Sequence, residues 1–252
     1  MANLIFIFLF LFNLILPINN NNNIDYKNEL EKYNIIFTGN WSETNLFYVY
    51  SGIELVGNKI LDYSDIQGNS IDAFVWAYNI TKRNPFKIEY YGTGKVGGIA
   101  SSSNRIGFSG FYRNYYSLCE DIELSSINLV IHELGHAFEY LVDEELEVVE
   151  LIPYMVLIDT IKNTYFPTRD GTNNNFGFCG IRWDYQQSPS IHPREEFADM
   201  FIGWVYDCWE DSEDGKLRSE FMDIHMSVWL ILVIKEHFYH KSYTFGSRYF
   251  VY

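Results

Sequence analysis

Apolar residues recur every three to four positions in three stretches of the second half of the chain, near residues 125–142, 194–208 and 217–238. Each predicts a helix with one face turned to a core. In the first stretch Ile127, Val130, Ile131, Leu134, Phe138 and Leu141 form one stripe, and Ser125 or Ser126 is available as N-cap. The third stretch contains the run from Val228 to Ile234, flanked by Asp223, His225, Lys235 and Glu236. It is too short to span a bilayer and reads as a buried core helix. The first half has a different texture. From Ile24 to about Glu120 it is rich in aromatic and β-branched residues with frequent Gly and Asn. Phe47 to Tyr50, Ile88 to Tyr91 and Arg105 to Phe108 read as strands bounded by turn residues, and residues 71–80 as a helix. The pattern predicts an α+β fold: a mixed N-terminal half followed by a mainly helical one.

Leu4 to Leu16 is apolar except for Asn13, and is also too short to span. It has the form of a secretory signal segment, although no Lys or Arg precedes Lys27. The Asn19 to Asn23 run is a polar linker. Residues 1–23 are therefore set apart from a single domain over 24–252, whose lobes are 24–142 and 143–252. Secretion is the expected localisation. The three cysteines, Cys119, Cys179 and Cys208, allow one disulfide at most. Cys179 and Cys208 flank the helix near 194–208 and are the favoured pair. Asn40 and Asn79 head glycosylation sequons.

Charge narrows the function. Lys and Arg number 18 against 33 Asp and Glu, a formal net charge of −15, which argues against a nucleic-acid partner. Hydrophobic residues at 48% are enough to build a core and exclude disorder as the main state. The acidic run from Asp143 to Glu150 reads as a solvated helix face, with steering of basic substrates as a second role.

The chemistry sits in the first helical stretch. Residues 132–136 read His-Glu-Leu-Gly-His. Four residues of helix bring the His132 and His136 imidazoles onto one face, where both can bind one metal ion, and put Glu133 beside them to act on water. Leu134 lies about 200° around the helix from each histidine, so the stripe can face the core while the histidines face a cleft. A Gly followed by a third His is one known continuation of this motif, but Glu139 occupies the position of that Gly. The other solution is a Glu from a second helix, and Arg194-Glu-Glu-Phe-Ala-Asp-Met-Phe201 offers one. Glu195 is the expected ligand and Glu196 the competing one. Asp199, one turn after Glu195, would accept a hydrogen bond from the ring nitrogen of His132 that does not face the metal.

The two blocks, His132 to His136 and Glu195 to Phe201, resemble the gluzincin zinc metallopeptidases. The second is most similar to the corresponding helix of the anthrax lethal factor and Pro-Pro endopeptidase group. That resemblance implies a zincin-like fold: a twisted mixed sheet, an active-site helix beneath it, and a helical second lobe. It implies one catalytic Zn2+ on His132, His136 and Glu195, Glu133 as general base, Asp199 as the acidic support, and hydrolysis of a protein or peptide substrate. It also implies a Tyr before the ligand Glu that stabilises the oxyanion; Tyr185 is the candidate and His192 its rival. An extended substrate would pair with an edge strand just before the active-site helix, formed by Gly97 to Ser102 or Arg105 to Gly110. A monomer without membrane insertion is expected. Two other classes compete: a binding or effector protein with a structural zinc, and a zinc hydrolase of non-peptide substrates.

Overall fold

A computed structural model describes residues 24–64, 66–78, 80, 82–93, 97–111, 122–149, 157–164 and 192–246, leaving aside the side chains of 122, 144–149 and 235–246. The signal-like segment, Cys119, Cys179, Asn79 and Tyr185 lie outside the described residues. Cys208 is disulfide-bonded.

Seven helices and one four-stranded sheet make up the described residues: α1 (Tyr26–Glu31), β1 (Ile35–Thr38), α2 (Glu43–Tyr63), α3 (Ser70–Ala77), β2 (Phe86–Tyr90), β3 (Gly97–Ser102), β4 (Arg105–Gly110), α4 (Ile122–Val149), α5 (Leu157–Asn163), α6 (Pro193–Tyr206) and α7 (Glu213–Gly246). The class is α+β.

The Phe47 to Tyr50 segment is not a strand. It lies inside the 21-residue helix α2. Its local β-propensity is overridden by the longer pattern Leu46, Val49, Ile53, Val56 and Ile60, every one buried. Ser42 starts this helix by accepting a hydrogen bond from the Asn45 N–H at 3.2 Å. α3 covers most of the expected 71–80 helix, starting one residue earlier and ending three earlier, and begins with a reciprocal Asn69–Asp72 capping box.

The sheet order is β1-β2-β4-β3. β1, β2 and β4 are parallel, and β3 turns back antiparallel to β4 to form an edge. Side chains alternate as a half-buried sheet requires. Ile35, Phe86, Ile88, Ile106 and Phe108 are buried on the inner face. The outer face carries Glu89, whose carboxylate accepts from Arg105 at 2.7 Å and from the Tyr91 hydroxyl at 2.9 Å.

Helix α4 runs through the middle of the molecule, packing against α2, α6 and β3. It is longer at both ends than its apolar stripe predicts. Ser125 and Ser126 are therefore buried inside it and are not N-caps. The buried Tyr78 hydroxyl donates to the Leu134 carbonyl at 2.9 Å and ties the end of α3 to the centre of α4. The acidic run is not a free solvated face where it begins: Asp143 accepts the backbone N–H groups of Leu157 and Ile158 at the start of α5. The run from Val228 to Ile234 is buried on one side only. Trp229, Leu230 and Val233 are in the core, while Ile231 is exposed. No helix among the described residues is long and apolar enough to cross a membrane.

Candidate metal centre

Two helices bring the site together. α4 supplies His132, Glu133 and His136; the first two turns of α6 supply Glu195 and Asp199. Gly135, between the histidines, lets these helices approach. A Cβ there would lie 3.1 Å from Phe201 Cβ and 3.2 Å from Ala198 Cα, so a side chain would require the facing residues of α6 to give way by a few tenths of an ångström. Below the contact, Phe138 stacks on Phe197 and Phe201 with ring centroids 6.4 and 5.9 Å apart.

The histidines and Glu195 converge. Nε2 of His132 is 3.2 Å from Glu195 Oε2, and Nε2 of His136 is 3.5 Å from Glu195 Oε1. One donor atom from each of the three residues lies within 4.8 Å of the others. Two ligands held about 2.0–2.2 Å from one tetrahedral ion sit about 3.3–3.6 Å apart, so these spacings suit a shared metal ion. On its other edge, His132 Nδ1–H donates to Asp199 Oδ1 at 3.0 Å. Asp199 is fully buried. It fixes the ring orientation and leaves Nε2 turned toward Glu195.

Charge at the site follows from these contacts. Burial opposes the charged form of His132, but the hydrogen bonds to Asp199 and Glu195 outweigh it and raise its pKa to about 10. His136 is lowered, chiefly by burial. The two imidazoles hold Glu195 well below the usual carboxylate range.

Glu133 sits between the ligands and the sheet edge, within electrostatic reach of His132 and Glu195. It is 4% exposed. It accepts a hydrogen bond from the Ala100 N–H on β3, and its Oε2 is buried with no partner among the described residues. Burial raises its pKa to about 7, with the Glu195 charge adding to the rise and the His132 charge opposing it. β3 makes room for this carboxylate only because residue 98 is glycine: a Cβ there would come 2.5 Å from Glu133 Cγ.

The competing ligand does not face the histidines. Glu196, also buried, accepts from Arg218 Nε at 2.7 Å across the α6–α7 contact. His192 is the N-cap of α6, its Nδ1 accepting from the Arg194 N–H at 3.2 Å. Accepting there leaves the ring proton of the neutral form on Nε2.

Sequence reasoning missed four residues that build this site. Gly98 and Ala100 contact Glu133 from a strand more than thirty positions away, a pairing that no local pattern carries. Arg218 is a lone cation on an apolar helix face, which is a readable sign of a buried partner. Glu139 falls seven residues after His132, on the same face of α4, and that spacing could have flagged it. It is fully buried and receives Arg194 Nη1 at 3.0 Å.

No family model matches the chain, and no curated protein or solved structure matches it either.

Proposed function

We propose that the protein is a secreted zinc-dependent endopeptidase of the gluzincin type. The observation that carries this reading is the convergence of His132, His136 and Glu195 on one point, with the buried carboxyl of Glu133 beside it. Two imidazole nitrogens and a carboxylate are a donor set that suits zinc. The three protein ligands among the described residues would leave a coordination position open, as catalytic zinc sites do, whereas a structural staple has four. The mixed sheet, with β3 as an antiparallel edge packed against the histidine helix, supports a zincin-like arrangement.

Zinc bound there would supply a Lewis acid that polarises a carbonyl and acidifies water. The chain's own residues do the rest. Glu133, with a pKa of about 7, is poised to take a proton from the attacking water and to return one to the leaving amine. Asp199 holds His132 in the tautomer that keeps its Nε2 lone pair free. Tyr185 remains the candidate oxyanion donor. His192, with its proton on Nε2, is the alternative. The substrate would lie extended along β3 and add to the sheet through backbone hydrogen bonds.

The test is metal content and hydrolysis together. Wild-type protein should hold about one zinc per chain, and His136→Ala should lose it. A peptide library incubated with the zinc-loaded protein should be cleaved, and cleavage should stop with chelator. Zinc bound at full stoichiometry without cleavage of any peptide would turn the reading toward a non-peptide substrate.

A further inference from the structure

Three consecutive residues at the start of α6 reach three different places. Arg194 turns to Glu139 on α4, Glu195 faces the two histidines, and Glu196 receives Arg218 from α7. We infer that the Arg194–Glu139 pair is a positioning device for Glu195, fixing the angle at which its carboxylate meets His132 and His136. The inference rests on the reading of those three residues as metal ligands.

The first turn of a helix lacks intrahelical partners for its N–H groups, and it is the part most free to fray. Glu195 lies in that turn. His192 caps it and Pro193 opens it, but neither ties it to α4. Asp199 makes such a tie one turn deeper, through His132. Arg194 makes it at the level of the ligand. Its Nη1 donates to Glu139 Oε2 at 3.0 Å, and its guanidinium sits 4.6 Å from the centroid of the Tyr140 ring. The cation is thus held from two sides, by the carboxylate and by the ring face.

Glu139 is a firm anchor. It is fully buried, three residues beyond His136 and on the same face of the same helix. One turn further along α4, Asp143 holds the first N–H groups of α5. A displacement of Arg194 would therefore have to move α4 or leave a fully buried carboxylate without its half-buried partner. Buried ion pairs add little net stability over apolar residues of the same size, whereas they do restrict geometry. A pair in this place is accounted for by the orientation it imposes on the next residue.

The test removes the pair without leaving a buried charge. In the Glu139→Met/Arg194→Met double variant, the metal-free protein should melt at or above the wild-type temperature. Its zinc Kd, measured by chelator competition, should weaken about 10–100-fold. The visible absorption band of the cobalt(II)-substituted protein should change shape, which reports altered ligand geometry directly. Arg194→Lys keeps the charge but loses the planar stack, and should fall between wild type and the double variant in zinc affinity. A double variant of unchanged stability, zinc affinity and cobalt spectrum overturns the inference. If the double variant does not fold, Arg194→Lys decides: unchanged zinc affinity and cobalt spectrum overturn it. Failure of wild-type protein to bind either metal is a different result, and removes the metal site on which the inference rests.

Discussion

Gly98 on the edge strand and Glu133 on the central helix are packed so closely that a methyl group added to the glycine would come 2.5 Å from Glu133 Cγ. The carboxyl that stands beside the candidate ligands is therefore held in place by the absence of a side chain opposite it. Gly98→Ala should move Glu133 away from its position without touching His132, His136 or Glu195. Misplacing a reacting group by about 1 Å can cost on the order of 100-fold in rate. We expect peptide hydrolysis to fall by about that factor while zinc stoichiometry stays at the wild-type value. Equal activity in the two proteins would show that Glu133 is free to adjust.

Glu133→Gln keeps the shape of the side chain and removes its basicity. It should abolish turnover and leave zinc bound. It should also leave the fold intact, because the wild-type carboxyl has no ion-pair partner among the described residues and an amide is easier to bury than a carboxylate. Residual hydrolysis within tenfold of wild type would assign the proton transfer elsewhere.

Glu195 and Glu196 are neighbours with separable consequences. Glu195→Ala removes a ligand and should weaken zinc binding, with a smaller stability loss than Glu196→Ala because this side chain is 37% exposed. Glu196→Ala takes the carboxylate from the buried Arg218 guanidinium. Breaking a buried pair from one side costs about 3–5 kcal/mol. A denaturant titration should show that loss for Glu196→Ala and not for Glu195→Ala, with zinc affinity following the opposite order. If Glu196→Ala is the variant that sheds zinc, the ligand assignment is reversed.

The zinc affinity should depend on pH in a defined direction. In the metal-free protein, His132 is raised to about 10 by Asp199 and Glu195 acting against burial. A histidine with a raised folded pKa contributes stability that is complete below its unfolded value, about 6.5, and is lost as pH rises toward 10. Zinc must displace the Nε2 proton, so its affinity should increase with pH across the same window while the apo protein becomes less stable. Calorimetric titrations at pH 7 in buffers of different ionisation enthalpy should report about one proton released per zinc bound. Zero release would mean that His132 is already neutral.

What the sequence disclosed about this site, it disclosed through helical spacing. His132 and His136 four apart, and Glu195 and Asp199 four apart, place two pairs on two helix faces. The three long C-terminal helices came from the same periodicity. Phe47 to Tyr50 was misleading because four residues of Phe, Tyr and Val satisfy strand propensity, while the repeat that makes them helical extends to Ile60. The choice between Glu195 and Glu196 needed α7, because Arg218 is what draws Glu196 away. The Gly98–Glu133 contact and the Arg194–Glu139 pair join residues 35 and 55 positions apart, and neither pairing can be read from one segment alone. Spacing along one helix reports which side chains share a face, but not what will be packed against that face.

The stacking of Phe138 on Phe197 and Phe201 has a bearing on how the protein would live with its metal. In small zinc domains the ion is the core, and withdrawing it unfolds the chain. Here the two ligand-bearing helices are joined by aromatic packing directly beneath the site, and by the His132–Asp199 bond, neither of which uses an ion. Loading and loss would be local exchanges on a standing scaffold. On the proposed reading, such a protein would stay folded metal-free and acquire its ion afterwards, with the supply of zinc in its surroundings acting as an on–off control.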